Sequence, residues 1–279
     1  MEYRFRPGDI MAFSGWLRRA DRAAGTIYKY TRDVGAFARF LDGRSASTTQ
    51  IIAWKQELLD RGYAPRTINS MLAACNGFFR FKGYPLRAKF LREQRQVFRD
   101  PRRELSREEY TRLLRTAQGA GRERLALIME TLAATGIRVG ELRYITVEAA
   151  RQGRATIALK GKIRTILLPR KLCRRLLNFA RKAKIASGEI FLTGGGRGIS
   201  RRQVWHELKS LCAGAAVEQT KVFPHNFRHL FATVFYQSCK DIARLADVLG
   251  HSSIETTRIY LTVSGTEQLR QLDSLGLVL

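Results

Sequence analysis

Apolar residues recur at three- and four-residue spacing along almost the whole chain, and one stretch alone breaks that rhythm. Tyr30, Val34, Phe37 and Leu41 form one stripe, Ile51, Trp54 and Leu58 a second, and Ile68, Leu72, Cys75 and Phe79 a third. A stripe of this period buries one side of a helix, so most of the chain must pack helix against helix. The segments DGRSAST and DRGYAP separate the stripes with Gly, Ser and Pro. Further on, Ser106-Arg107-Glu108-Glu109 is a capping box, Leu125, Ile128 and Leu132 give the next helix its core face, and Thr135-Gly136 stops it. Helices are expected again over 171–184, after Ser200, and over 225–238, 241–249 and 253–263. The exception is 154–168, where RATIAL and IRTILL flank Lys160-Gly161-Lys162 and Pro169 closes the second run. That reads as a β-hairpin with lysines at its turn. The fold class expected is mainly α with one small β-hairpin.

At about 150 residues per domain, 279 residues suggest two domains. The helical stripes place the first at 1–90. A basic linker follows at 91–104, then a second domain at 105–264 and a tail at 265–279 ending in the apolar LGLVL. The run from Arg87 to Arg103 holds seven basic and two acidic residues. It reads either as a solvated connector or as a basic strap against phosphates, and the whole-chain charge favours the strap. On that reading Lys89, Arg92, Arg95, Arg99, Arg102 and Arg103 are candidate contacts to nucleic-acid phosphates. Fifty Lys and Arg against twenty-four Asp and Glu leave a net charge of +26, which calls for a polyanionic partner, nucleic acid or an anionic membrane surface. A hydrophobic share of 45% excludes a disordered basic tail. The four cysteines are scattered without a CxxC pair, which excludes a zinc ribbon and fits reduced thiols. No apolar run approaches about 18 residues, and the start MEYRFRPGDIMAFSGW has no apolar leader core, so neither a membrane span nor secretion is expected.

Three segments carry residues suited to chemistry. In ATGIRVGEL, Arg138 follows a glycine-broken helix end where a new helix begins, and a guanidinium there can aim two donors at a phosphate; taken alone it is also an ordinary surface arginine. In PHNFRH, His225 and Arg228 are three residues apart and share a helical face. A zinc site on His225 and His229 fails because Asn226 stands where the metalloprotease pattern needs Glu, so no metal is expected. His229 by itself reads as a core histidine. In LGHSSIETTRIY, Gly250 ends one helix and Ser252-x-x-Glu255 caps the next, leaving His251 exposed at the junction and Tyr260 about two turns along. A single helical tyrosine is ordinarily a packing residue.

Order changes that reading. Arg138, Lys160, His225-x-x-Arg228, His251 and Tyr260 nine residues later resemble the active-site pattern of the tyrosine recombinases, the phage-integrase and Xer-type family. The resemblance runs over nearly the whole chain, with GTIYKYTRDVGAFARFL and GYAPRTINSMLAACNGFFRFKGY similar to that family's helical core-binding domain. It implies a two-domain, C-shaped clamp on duplex DNA and site-specific cutting and rejoining through a 3′-phosphotyrosyl link, with no metal, ATP or other cofactor. Arg138 and Arg228 would neutralise the phosphate oxygens, Tyr260 would attack, His225 would act as base or proton relay, and His251 would donate a hydrogen bond to the phosphate. Lys160 would protonate the leaving 5′-oxygen. The usual hairpin motif GKGxKxR appears here as LKGKIR, compressed, which leaves Lys162 a rival. Glu141 matches an acidic position that braces the site. The implied partners are paired recombination sites with inverted repeats and a homotetramer on DNA (a monomer or dimer otherwise), within a prokaryotic cytoplasm at the nucleoid. The tail would dock on its own domain or on a neighbouring subunit. A catalytically silent DNA-binding regulator and a type IB-like topoisomerase are the rival readings.

Overall fold

A computed structural model, which describes residues 3–92, 103–159, 162–251, 253–260, 269–270 and 273–275, turns each of the three early stripes into the buried face of a helix. These are α2 (Ala24–Leu41), α3 (Thr48–Asp60) and α4 (Pro65–Lys82), preceded by α1 (Asp9–Arg19), which the spacing analysis had not singled out. Ser47 caps α3 by accepting the Gln50 N–H at 3.2 Å, and Pro65 opens α4, where its missing N–H costs nothing. Phe13 and Leu17 of α1 join Val34, Phe37, Trp54, Leu72, Phe78 and Phe79 in one aromatic-rich core. Phe37 and Trp54 meet with ring centroids 4.9 Å apart, and Phe13 meets Phe78 edge-on at 5.4 Å. The chain after α4 is held by two asparagines. Asn69 exchanges both amide hydrogen bonds with the Leu91 backbone, and Asn76 does the same with Ala88. Seven helical residues and three extended ones each span roughly 10 Å, so the two pairs align.

The chain divides into two compact units, Met1–Arg95 and Gln96–Leu279. The second opens with α5 (Arg107–Gly119), where Ser106 accepts the Glu109 N–H while the Glu109 carboxylate accepts the Ser106 N–H, so two orphan donors are satisfied at once. It continues through α6 (Glu123–Thr135), α7 (Val147–Gln152), strands β1 (Arg154–Leu159) and β2 (Lys162–Leu167), α8 (Arg170–Lys182), α9 (Arg201–Lys209), α10 (Pro224–Cys239) and α11 (Ile242–Leu249). The expected hairpin is present as an antiparallel pair with Ile157 opposite Arg164 and Ala155 opposite Ile166. Ala155, Ile157, Ile166 and Leu168 turn inward onto a core built around Leu113, Leu125, Ile128, Leu132, Leu176 and Phe227. A smaller cluster of Ala232, Leu245, Leu249 and Tyr260 lies apart from that core.

One expected helix is replaced. Over 253–263 the chain makes two 3₁₀ turns, Ile254–Thr256 and Arg258–Tyr260, and residues 261–263 lie outside the described set. Ser253 accepts the Glu255 N–H at 3.2 Å, and the expected cap residue Ser252 lies outside the described set. The tight i→i+3 bonds from Thr257 N to Ile254 O (2.7 Å) and from Tyr260 N to Thr257 O (3.0 Å) draw the segment in so that Thr257 is buried. No described helix is long and apolar enough to cross a membrane. The four cysteines are free thiols.

Candidate active site

Two helix ends and one strand converge on the site. α6 terminates at Gly136, whose φ of 63° needs a residue without a side chain, and a Cβ there would lie 2.4 Å from the Phe231 ring. Two residues later Arg138 precedes the 3₁₀ turn Val139–Tyr144. Glu141 faces back across that turn. Its Oε2 accepts the Arg138 backbone N–H at 2.7 Å and its Oε1 accepts from Arg138 Nη1 at 3.1 Å. The Arg138 side chain is 46% exposed, whereas that of Glu141 is 2% exposed. A third group completes the arrangement, for Arg164 Nη2 of β2 donates to Glu141 Oε2 at 2.7 Å.

Arg228 on α10 is only 1% exposed. Its Nη1 donates to the Gly136 carbonyl at 2.5 Å and its Nη2 to the Leu249 carbonyl at 2.8 Å. Both acceptors belong to helix ends, where carbonyls lack an intrahelical partner and partial negative charge gathers. One guanidinium therefore caps α6 and α11 together. Nη2 also lies 2.8 Å from His251 Nε2. A guanidinium can only donate, so this imidazole nitrogen accepts, and the proton sits on Nδ1, 2.8 Å from Thr257 Oγ1. His251 is thus half-buried and engaged on both sides, not exposed as the sequence suggested, because the 3₁₀ turn brings Thr257 over it. Burial, then Arg228 and Arg138, push its pKa down to about 4. His225 is lowered too, by the neighbours that crowd part of its ring and then by Arg228 and Arg138, although its side chain reaches solvent. Burial pushes Arg228 down to about 10, Arg138 adds to the shift, and Tyr260 opposes it; the group stays cationic at neutral pH.

Tyr260 is buried, and its phenol acts on the Arg228 guanidinium, opposing the fall in that group's pKa. Its ring lies 4.7 Å from that of His229 and stacks over His251 at 6.1 Å, while His229 is itself 4.7 Å from His225. His229 is therefore not a plain core histidine. It stands between the phenol and the exposed His225. Arg138, Arg164 and Arg228 against Glu141 leave three positive charges and one negative, a net excess of two that suits a phosphodiester and its developing charge.

The structure thus gathers Arg138, Glu141, His225, Arg228, His229, His251 and Tyr260. Lys160 lies outside the described residues; Lys162 begins β2, and its side chain is likewise outside them. Of the linker cations, Lys89, Arg92 and Arg103 are described and exposed, while Arg95, Arg99 and Arg102 lie outside the described residues. The sequence reading passed over Arg164 and Thr257. Strand alternation puts Arg164 on the face of Ile166, where a charge is out of place, and that was the available signal. Thr257 gave none.

Comparison with known proteins gives the family and the fold. Residues 103–267 match the model of the phage integrase family, and residues 10–83 match the phage integrase N-terminal SAM-like domain. The chain is 30% identical to the tyrosine recombinase XerA of Thermococcus kodakarensis, covering 94% of this chain and 93% of that one. It is 29% identical to XerD of Agrobacterium fabrum, over 90% and 87% of the two chains. Among solved structures, the XerH recombinase on a palindromic difH substrate superposes with a TM-score of 0.70 at 17% identity, over 95% of this chain and 84% of that one. A lambda integrase dimer bound to a core site gives 0.71 at 15%, over 92% and 77%.

Proposed function

Since the chain belongs to the phage integrase family and is a tyrosine-type site-specific recombinase, we propose that it cuts and rejoins duplex DNA through a 3′-phosphotyrosyl intermediate on Tyr260, without metal or ATP. The observation that carries this reading is the convergence on the buried Tyr260 of His229 and of His251, the latter held 2.8 Å from the buried Arg228 guanidinium.

A phosphodiester resists attack because it is anionic and its alkoxide leaves poorly. Arg138, half-exposed, meets the phosphate first, and Arg228 meets it from within. A phosphate oxygen is a stronger acceptor than a neutral imidazole nitrogen, so it takes over the Nη2 donor that His251 now accepts. The same negative charge raises the proton affinity of the displaced Nε2. His251 then takes a proton from solvent at Nε2 and, as imidazolium, donates it in a hydrogen bond to the phosphate, as the resemblance implies. Tyr260 Oη forms its bond to phosphorus while the bond from phosphorus to O5′ breaks. The phenolic proton leaves toward His229 and the exposed His225, which the 4.7 Å ring contacts favour. The hairpin lysine, Lys160 or Lys162, gives a proton to O5′. Religation runs these steps backwards with a 5′-hydroxyl from another strand, so the ester carries the bond energy throughout.

The substrate we assign is double-stranded DNA with paired, inverted-repeat sites, occupied by four copies of the chain; the net charge of +26 supports the polyanion, with Lys89, Arg92 and Arg103 among its contacts. The docking expected of the tail falls on 265–279, of which only 269–270 and 273–275 lie among the described residues. The test is a nicked suicide duplex. Wild type should form a covalent adduct resistant to denaturant, and Tyr260→Phe should bind equally yet form none. Adduct from the Tyr260→Phe protein would remove the nucleophile assignment. Binding without adduct in the wild type would favour a silent regulator, and relaxation of supercoiled DNA lacking any specific site a topoisomerase.

A further inference from the structure

Arg164 occupies a place where a strand ordinarily puts a hydrophobe. Along β2, Ile163 and Leu167 face outward and are each 77% exposed, while Ile166 faces the core. Arg164 shares the inward side and stands opposite the buried Ile157. A guanidinium on such a face must be paired, since an unpaired charge there costs several kcal/mol or more. Its partners are Glu141 Oε2 at 2.7 Å and the Val248 carbonyl at 3.3 Å. It also fills the space beside Gly250, where a Cβ would come within 2.4 Å of Arg164 Nη1.

Glu141 has two oxygens, and how they are shared decides what Arg138 can do. Oε1 takes one N–H of the Arg138 guanidinium; Oε2 takes the Arg138 backbone N–H and the Arg164 guanidinium. Arg138 is therefore tethered by a single side-chain bond and keeps the rest of its fork free, with its side chain 46% exposed. Without Arg164, the buried carboxylate would have one guanidinium left within reach. A fork that can close on both oxygens does so, because the bidentate pair is the strong geometry. An arginine closed on a carboxylate is withdrawn from phosphate.

Resting on the phosphoryl-transfer reading above, we propose that Arg164 is a positioning residue: by occupying one oxygen of Glu141 from the hairpin, it keeps the Arg138 fork open to the scissile phosphate.

The experiment uses the full-length chain with Arg164→Gln, Glu141→Gln and the double variant. Single-turnover cleavage of a nicked suicide duplex by Arg164→Gln should fall 10- to 100-fold, on the order seen when a supporting partner of a working group is lost, while duplex affinity changes far less. The double variant should cleave as fast as Glu141→Gln alone, because the carboxylate that captures Arg138 is gone. A second readout is independent of cleavage: modification of Arg138 by phenylglyoxal, mapped by mass spectrometry, should slow in Arg164→Gln and recover in the double variant. Failure of the wild type to form adduct would sink the phosphotyrosyl reading and leave the Arg138 reactivity to judge the positioning claim. Multiplying losses in the double variant, or Arg138 reactivity unmoved by Arg164→Gln, would overturn that claim. Should Arg164→Gln alone not fold, the double variant still decides, since it must match Glu141→Gln.

Discussion

The two arginines assigned here to the phosphate are held by opposite means. Arg138 sits half in solvent beside a carboxylate, and most of its environment is water and charge. Arg228 is sealed in the protein, and among the described residues no carboxylate pairs with it; its donors go to two helix-end carbonyls and an imidazole. Partial charges of carbonyls compensate a buried cation less completely than a carboxylate would, so Arg228 keeps more unspent positive potential. The first arrangement gives a mobile clamp that can catch an anion arriving from solvent. The second gives a fixed, strongly attractive seat that also ties α6 to α11 and meets the phenol. Division of this kind lets one site bind loosely at its rim and tightly at its floor.

The largest expected effect separates the two. Arg228→Lys and Arg138→Lys should each slow adduct formation by roughly 10²–10³, the range for losing one oxyanion-stabilising donor. Their stabilities should part. Lysine at 228 cannot reach both carbonyls, and each one left unfilled costs about 1–3 kcal/mol, whereas Arg138→Lys should stay within about 0.5 kcal/mol of wild type. Denaturant midpoints for the pair check this, and equal losses of stability would break the comparison.

Next in size is a pH dependence that centres on the half-buried His251. His251 titrates near 6.5 in an unfolded chain and is pushed down to about 4 in the fold, and His225 is shifted in the same direction. Between those values the unfolded chain holds more protons, so stability is complete above about pH 6.5 and drains away as pH falls toward 4. His251→Gln should flatten part of that slope in unfolding curves taken from about pH 7 to about pH 4.5, leaving the share owed to His225. A slope unchanged by the substitution would mean His251 is not the neutral acceptor that Arg228 requires.

What the sequence disclosed and what it hid follow the same division. Arg138 and Glu141 lie three residues apart, the hairpin alternates within a dozen residues, and the helical stripes need only local period, so these were legible. Arg228 was legible as a residue but not as a buried one, because its acceptors lie 92 and 21 residues away. Two 3₁₀ turns at 254–260 stand where local spacing predicts a helix, and they bring Thr257 onto His251, a contact that no periodicity announces. Arg164 falls between: alternation placed it inward, and reading it only as part of a motif concealed the charge it has to satisfy.

The smallest expected effect tests how finely the buried corner is set. Thr257→Val keeps the shape of a fully buried side chain and removes only the acceptor of the His251 Nδ1 proton. One such bond is worth about 1 kcal/mol, and that loss should appear in the denaturant midpoint. Its consequence for chemistry is more specific. With Nδ1 unpaired, nothing favours the tautomer whose Nε2 accepts from Arg228, so the imidazole is free to turn away and the guanidinium loses a contact that orients it. Cleavage should therefore slow several-fold in Thr257→Val and recover in Thr257→Ser, which restores a hydroxyl without the methyl. If serine rescues stability but not rate, the threonine matters for packing alone, and the floor of the site is held by the two carbonyls without help from the ring.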